Sequence, residues 1–271
     1  MSVSTIRNRL LQALSSDDLG RLLPHLERVD VHKGEVLIHQ GQILEFAYFP
    51  EGGLSSNLAV TSDGRKIEVG CFGLEGMVST ATVLRSDRAS HEILVQVGAP
   101  WLRMRTDALK EAIQASPALQ AVLLRYVQIQ ILTFSHSALA NGAYVMRERL
   151  ARWLLMAHDR LEGDDLALTH DFLSLMLGVQ RSGVTIAIQE LEGLGMIRAR
   201  RGRLTVLDRE KMRAFAGDSY GFPEAEYERL IGPFRGEAPA HLSAAGAAAP
   251  DGNGIVRSHT SPMQPEHTII K

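Results

Sequence analysis

Cys71 is the only cysteine in a chain of 271 residues. One thiol permits neither an internal disulfide nor a multi-cysteine zinc or iron–sulfur site. The ten histidines form no HExxH and no HxH pair, so no metal site is expected. No GxxxxGK[ST] loop is present, and Ser182-Gly183 lies outside any GxSxG elbow. These absences argue against nucleotide hydrolysis and acyl transfer, and an enzyme is not expected. Long apolar runs are also scarce. The longest uncharged stretch, Tyr126 to Met146, contains Gln128, Gln130, His136 and Asn141, which makes it a poor membrane span. The opening MSVSTIRNRL lacks the apolar core of a signal peptide. The expectation is a cytoplasmic protein with no membrane partner.

Net charge is −2, so the molecule as a whole is no polybasic binder of nucleic acid. The charge is unevenly placed. Residues 1–116 hold 12 Lys+Arg against 14 Asp+Glu, whereas residues 144–213 hold 12 against 10. Between Arg198 and Arg203 there are four arginines and no acid. For a polyanionic partner such a patch counts for more than the total.

That patch closes the most informative stretch, THDFLSLMLGVQRSGVTIAIQELEGLGMIRARRGRLTVL, from Thr169 to Leu207. Thr169 is an N-cap candidate for a short helix whose apolar side is Phe172 and Met176 with Leu173 and Leu177. A tight turn at Gly178-Val179 follows. Val184, Ile188, Leu191 and Leu194 then recur as one stripe of a second helix. Its other side carries Arg181, Ser182, Thr185 and Gln189, with Gln180 just before it. Beyond, Ile197 and Ala199 alternate with Arg198 and Arg200, and Leu204 and Val206 alternate with Arg203 and Thr205. Period two on both sides of Arg201-Gly202 predicts a β-hairpin with arginines outward. Helix, sharp turn, helix and basic hairpin make a winged helix-turn-helix. The expected DNA-binding residues are Thr169, Gln180, Arg181, Ser182, Thr185, Gln189, Arg200, Arg201 and Arg203, with double-stranded DNA as partner.

The run VQRSGVTIAIQELEGLGMIRARRGRLTVLDR resembles the C-terminal domain of the cyclic-AMP receptor / fumarate-nitrate regulator (Crp/Fnr) family of bacterial transcription factors. RERLARWLL is similar to the first helix of that family's DNA-binding domain, and LSSDDLGRLLPHLERVDVHKGEVLIHQGQ to the approach to its β-roll. The resemblance covers about residues 10 to 213. It implies an α+β chain: an N-terminal cyclic-nucleotide-binding-like β-roll (jelly roll), a long dimerisation helix and a C-terminal winged helix-turn-helix. It also implies RNA polymerase as a further partner if the protein activates.

The rest of the chain fits that plan. Residues 4–28 read as two short helices meeting at Ser15-Ser16-Asp17-Asp18. From 36 to 105, short β runs alternate with glycine turns, among them Glu35 to His39, Phe46 to Phe49, Leu54 to Val60, Ile67 to Cys71 and Ile93 to Val97. Asp63-Gly64 predicts a hairpin. Trp101 to Ala115 reads as helical. Ser116-Pro117 opens a long helix, in which Leu124, Val127, Ile131, Phe134 and Ala138 step by 3 and 4 as a dimerisation seam. Leu119, Leu123, Tyr126 and Ile129 point elsewhere, toward the roll. Asn141-Gly142-Ala143 interrupts the pattern, which resumes over Tyr144 to Leu161. The expected divisions are a β-roll over 1–116, a dimerisation helix and hinge over 117–143, a winged helix over 144–213, and a largely disordered extension over 214–271.

Family members that bind cyclic nucleotides use a Gly-Glu pair for the ribose and an Arg about ten residues on for the phosphate. Here Leu74 separates Gly73 from Glu75, and Arg88 follows Glu75 by thirteen positions. Arg85 stands at ten and is followed by Ser86, but Asp87 stands where the Ala is expected. Cyclic AMP is therefore not the expected effector, and no other cofactor is indicated. Glu75, Arg85 and Arg88 are the candidates if a nucleotide binds. The second helix also departs from the family's best-known form: Arg181-Ser182 stands for Arg-Glu, and Ile186 for the second Arg. The sequence thus reads as a homodimeric, sequence-specific DNA-binding transcription regulator. The alternative is a ligand-responsive protein whose roll acts without DNA.

Overall fold

The computed structural model describes residues 6–235. Two short helices open it, α1 (Arg9–Gln12) and α2 (Ser16–Leu22). The Asn8 side chain accepts from Leu11 N, and Ser15 from Asp18 N, each satisfying an amide of the first turn. Seven strands follow: β1 (Glu27–Val31), β2 (Val36–Ile38), β3 (Phe46–Pro50), β4 (Leu54–Val60), β5 (Lys66–Phe72), β6 (Glu92–Val97) and β7 (Ala99–Arg105). They form two antiparallel sheets, ordered β1-β7-β3 and β2-β6-β4-β5. Together these are the roll.

One reading changes here. Trp101 to Arg105, expected to be helical, is strand β7, and helix α3 begins only at Thr106 (Thr106–Ala115). Pairing on both edges, with β1 and with β3, overrides the local pattern. Trp101 is fully buried and its indole donates to Gly52 O at 2.9 Å. Strand β1 itself carries the polar sequence ERVDV, which gave no signal.

Helix α4 (Pro117–Ala143) is 27 residues long. Ser116 caps it, its hydroxyl accepting from Leu119 N at 3.2 Å, and Pro117 opens the first turn without losing a hydrogen bond. Leu119, Leu123, Tyr126 and Ile129 are buried against the roll, as expected. Each such side chain contributes about 2 kcal/mol by leaving water. Gly70 of β5 lets α4 lie close, since a Cβ there would stand 2.8 Å from the Phe134 ring.

Beyond α4 come α5 (Met146–His158), the short strand β8 (Asp165–Leu166), α6 (His170–Leu177), α7 (Arg181–Gly193), β9 (Ile197–Arg200) and β10 (Arg203–Val206). A small sheet, β8-β10-β9, completes this winged unit. Its core includes Leu150, Trp153, Leu154, Leu173, Val184, Ile188 and Leu191, and it continues into Leu54, Leu58 and Cys71 of the roll.

The C-terminal extension begins with structure. Helix α8 (Arg209–Ala216) is capped by Asp208, and α9 (Phe222–Leu230) packs on α4. Tyr227 is buried and donates to Glu75 O at 2.7 Å. Residues 214–235 of the extension, expected to be largely disordered over 214–271, thus carry structure. The expected disorder over 236–271 lies outside the described residues, as do residues 1–5 at the start of the predicted N-terminal helices.

Candidate nucleic-acid interface

The Thr169 hydroxyl accepts from Phe172 N at 3.2 Å and so starts α6. Gly178 ends it with φ 63, a left-handed conformation that glycine adopts without strain. The amides of Gly178 and Val179 fold back onto the carbonyls of Leu175 and Ser174. The next helix, α7, follows almost at once, with Gln180 as its flanking residue. Val184, Ala187, Ile188 and Leu191 bury one side of α7, while Arg181, Ser182, Ile186 and Gln189 are exposed on the other. Leu194, expected on the buried stripe, lies just past the helix and is 42% exposed.

The polar residues of α7 are not equivalent. Arg181 Nε pairs with Asp171 Oδ1 of α6 at 2.8 Å, and both side chains face solvent. That contact holds the guanidinium by Nε, and among the described residues no hydrogen bond engages its two terminal nitrogens. Thr185 is engaged instead: its hydroxyl donates to Arg181 O at 3.0 Å and meets His170 Nδ1 at 3.0 Å. The hydroxyl thus ties α7 to α6, and His170 carried no signal in the sequence.

The hairpin pairs Arg203 with Arg200, Leu204 with Ala199, Thr205 with Arg198 and Val206 with Ile197. Leu204 and Val206 are buried and the arginines exposed. Arg203 Nη1 is held by Asp165 Oδ2 of β8 at 2.9 Å, and Thr205 donates to the other oxygen of that carboxylate. These bonds and the nearby Arg203 and Arg200 charges hold the Asp165 carboxyl below its usual range. Among the described residues, Arg198, Arg200 and Arg201 have no carboxylate within ion-pair distance. Arg198 thus joins the candidate set that the sequence had limited to Arg200, Arg201 and Arg203.

A family model, the Crp-like helix-turn-helix domain, matches residues 148–215. That stretch is similar to a Crp-like helix-turn-helix domain. Solved structures extend the likeness to the rest of the fold. FixK2 of Bradyrhizobium japonicum superposes with a TM-score of 0.62 at 16% identity, over 71% of this chain and 98% of that one. A Crp/Fnr-family transcriptional regulator of Thermus thermophilus gives 0.56 at 19% identity, over 70% and 98%. The c-di-GMP responsive global regulator CLP of Xanthomonas campestris gives 0.57 at 18% identity, over 71% and 99%. The fold is therefore that of Crp/Fnr transcription regulators: β-roll, long helix and winged helix-turn-helix. No curated protein matches the chain in sequence.

The Crp-like domain is docked on the roll. Trp153 Nε1 of α5 donates to Glu68 Oε1 of β5 at 2.7 Å, and Ser56 donates to the other oxygen. Burial pushes the Glu68 carboxyl up to about 7, against those two hydrogen bonds. Arg160, just beyond α5, pairs with Glu75 at 2.7 Å, and both side chains are buried. The second oxygen of Glu75 accepts from Gly73 N at 3.0 Å.

That pairing places the three effector candidates apart. Glu75 is committed to Arg160. Arg85 lies in an exposed turn with φ 61, and Arg88 is exposed with Nη1 donating to Gly41 O at 3.0 Å. None of the three lines the cavity between α4 and the roll. The expected seam on α4 is likewise divided. Leu124 is 41% and Ile131 51% exposed, and Ala138 is exposed. Val127 is buried and Phe134 partly so, and both line the cavity. Among the described residues no group of three His, Cys, Asp or Glu is placed to hold a metal ion, and no helix is long and apolar enough to cross a membrane.

Proposed function

We propose that the protein is a homodimeric, sequence-specific DNA-binding transcription regulator working in the bacterial cytoplasm. The observation that supports it most is the pairing of an outward polar helix, α7, with a hairpin whose Arg198, Arg200 and Arg201 carry no acidic partner among the described residues. A helix of this kind suits the major groove, where Arg181 can take the N7 and O6 of a guanine with its two terminal nitrogens. Ser182 and Gln189 add weaker polar contacts, and exposed Ile186 suits a thymine methyl. Arg200 and Arg201, with Arg198, suit phosphates, which fix register without reading sequence. Thr169 and Gln180, at the starts of the two helices, are further phosphate candidates.

The second copy is assigned to α4. Leu124, Ile131 and Ala138 recur every seven residues on its exposed side. Ala121, Gln128, Ser135 and Gly142 lie between and beyond them in steps of 3 and 4, and all are exposed. This uncharged heptad stripe is what a two-helix seam needs. Should the protein activate, RNA polymerase is the further partner.

A mobility-shift assay with the protein's own upstream region tests the reading. Binding there at physiological salt, with far weaker binding to random DNA, is the expected result. Equal affinity for both would leave only the non-specific charge interaction. No binding to either would favour a ligand-responsive protein that acts without DNA.

A further inference from the structure

Helix α9 lies beyond Phe215, where the match to the Crp-like helix-turn-helix domain ends. The chain enters it through Gly221, whose φ of 111 favours glycine, and the Glu224 carboxylate closes the first turn by accepting from Gly221 N at 3.1 Å. The segment from Ser219 to Arg235 touches three parts of the molecule. On the winged unit, Arg152 Nε of α5 donates to Ser219 O at 2.9 Å, and the Tyr220 hydroxyl donates to Asp159 Oδ2 at 2.6 Å. On α4, the Phe222 ring stacks on His136 with 5.3 Å between ring centres. On the roll and the helix before it, the buried Tyr227 hydroxyl donates to Glu75 O at 2.7 Å, and Arg9 of α1 donates to Phe234 O. The Phe234 ring also stands 5.2 Å from the guanidinium of Arg160, covering the buried Arg160–Glu75 pair. The link between α4 and α5 is only Tyr144 and Val145, so α9 spans the joint about which the winged unit could swivel.

We infer that α9 is an intramolecular clasp: it fixes the orientation of the winged unit on its own roll and so sets the distance and angle between the two recognition helices of a dimer. The clasped arrangement leaves the reading surface open. Arg181, Ser182, Ile186 and Gln189 of α7 and Arg198, Arg200 and Arg201 of the hairpin are all exposed while the turn at Gly178 rests against Ile67 of β5. A twofold operator presents its half-sites at one spacing, about 10 base pairs. A winged unit free to swivel spends binding energy on being ordered, and one already held in place does not. The clasp therefore strengthens operator binding and makes it intolerant of altered spacing. This inference rests on the reading of the chain as a dimeric DNA-binding regulator, and its first measurement is made without DNA so that the two can fail separately.

The test uses the full chain carrying Phe222→Ala and Tyr227→Phe. Each substitution removes one contact across the clasp, and neither residue belongs to the DNA-facing surface. A retained cooperative unfolding transition shows that the variant folds; if it is lost, Tyr227→Phe alone is measured instead. Without DNA, hydrogen exchange at the amides of α6 and β5 should quicken about tenfold in the variant, the size of one lost hydrogen bond. With DNA, the wild type should prefer the operator in its own upstream region over the same operator lengthened by one base pair, which turns one half-site by about 35°. That preference should fall about tenfold in the variant, while binding to random DNA at the same salt stays equal for both. Unchanged exchange between α6 and β5 overturns the clasp whether or not an operator is bound. A wild type that binds no operator at all overturns instead the DNA-binding reading. Quickened exchange with an unaltered spacing preference overturns the inference by reducing α9 to a stabilising cover. Tighter operator binding by the variant overturns it by making α9 a restraint on the winged unit.

Discussion

The Trp153 indole and the Glu68 carboxylate meet at 2.7 Å, joining a helix of the winged unit to a strand of the roll 85 positions away in sequence. Arg152 and Arg160 both favour the ionised form of Glu68, yet burial outweighs them and the two hydrogen bonds together. The folded state is therefore favoured when this carboxyl carries its proton, although the two hydrogen bonds by themselves favour the carboxylate.

Stability should consequently depend on pH through Glu68. Its native value, about 7, lies above the ordinary 4.5. Between those values the folded chain holds a proton that the unfolded chain has released, so stability falls as pH rises through that window. The stabilisation is present at pH 5 and gone by pH 8, a span worth about 2 to 3 kcal/mol. Glu68→Gln keeps an acceptor for Trp153 and removes the ionisation. Urea unfolding of both proteins at pH 5 and pH 8 checks this: the wild type should lose about that much more than the variant over the interval. Parallel losses would mean that Glu68 titrates normally.

Arg160 and Glu75 form a second join, both buried. Removing one partner of such a pair leaves a charge without compensation, at a cost of about 3 to 5 kcal/mol. Arg160→Met should reach that range in chemical unfolding. Arg160→Met with Glu75→Gln should recover part of it, because the stranded carboxylate is gone. A single variant within about 1 kcal/mol of wild type would show that water or another cation reaches Glu75.

The oligomeric state tests the outward stripe of α4. Leu124→Asp with Ile131→Asp would place charge in a two-helix seam, and light scattering should then report a monomer where the wild type is a dimer. Phe134→Asp should instead damage the fold, since that ring packs against Gly70 and His91. A dimer that survives the double substitution assigns the second copy to another surface.

The α4 residues also show where sequence reasoning runs out. Helix α4 is apolar on nearly every side, so a spacing of 3 and 4 can be drawn in more than one register. The sequence stripe therefore mixed Leu124 and Ala138, which face out, and Ile131, which is exposed but also borders the cavity, with Val127 and Phe134, which face the roll. The winged helix was legible because its signals are local: a left-handed Gly178, a buried stripe on α7 and period two around Arg201-Gly202. Strand β7 was not, because its pairing with β1 bridges more than sixty residues. For the same reason neither Trp153–Glu68 nor Arg160–Glu75 could be read from spacing. Thr185, polar and on the right side of α7, passed as a base reader, but its hydroxyl is occupied by Arg181 O and His170.

The proposed DNA interface separates readers from holders, and each class has its own expected signature. Arg181 stands at the start of α7, oriented by Asp171. Arg181→Ala should cost roughly 1–3 kcal/mol of operator binding and relax preference at one base pair per half-site. Asp171→Ala should relax the same position less, because it frees the guanidinium without removing it. Arg201→Ala should weaken all sequences about equally and lower the salt slope by about one for each subunit's lost phosphate contact. Arg203 is already paired with Asp165, so Arg203→Ala should change that slope less than Arg201→Ala does. Half-sites of a twofold operator should lie about 10 base pairs apart, one turn of the duplex. The measurement is binding to a panel of single-base operator variants at two salt concentrations. If Arg181→Ala leaves the preference profile as it was while Arg201→Ala alters it, the reader is the hairpin rather than α7, and the major-groove assignment of α7 is wrong.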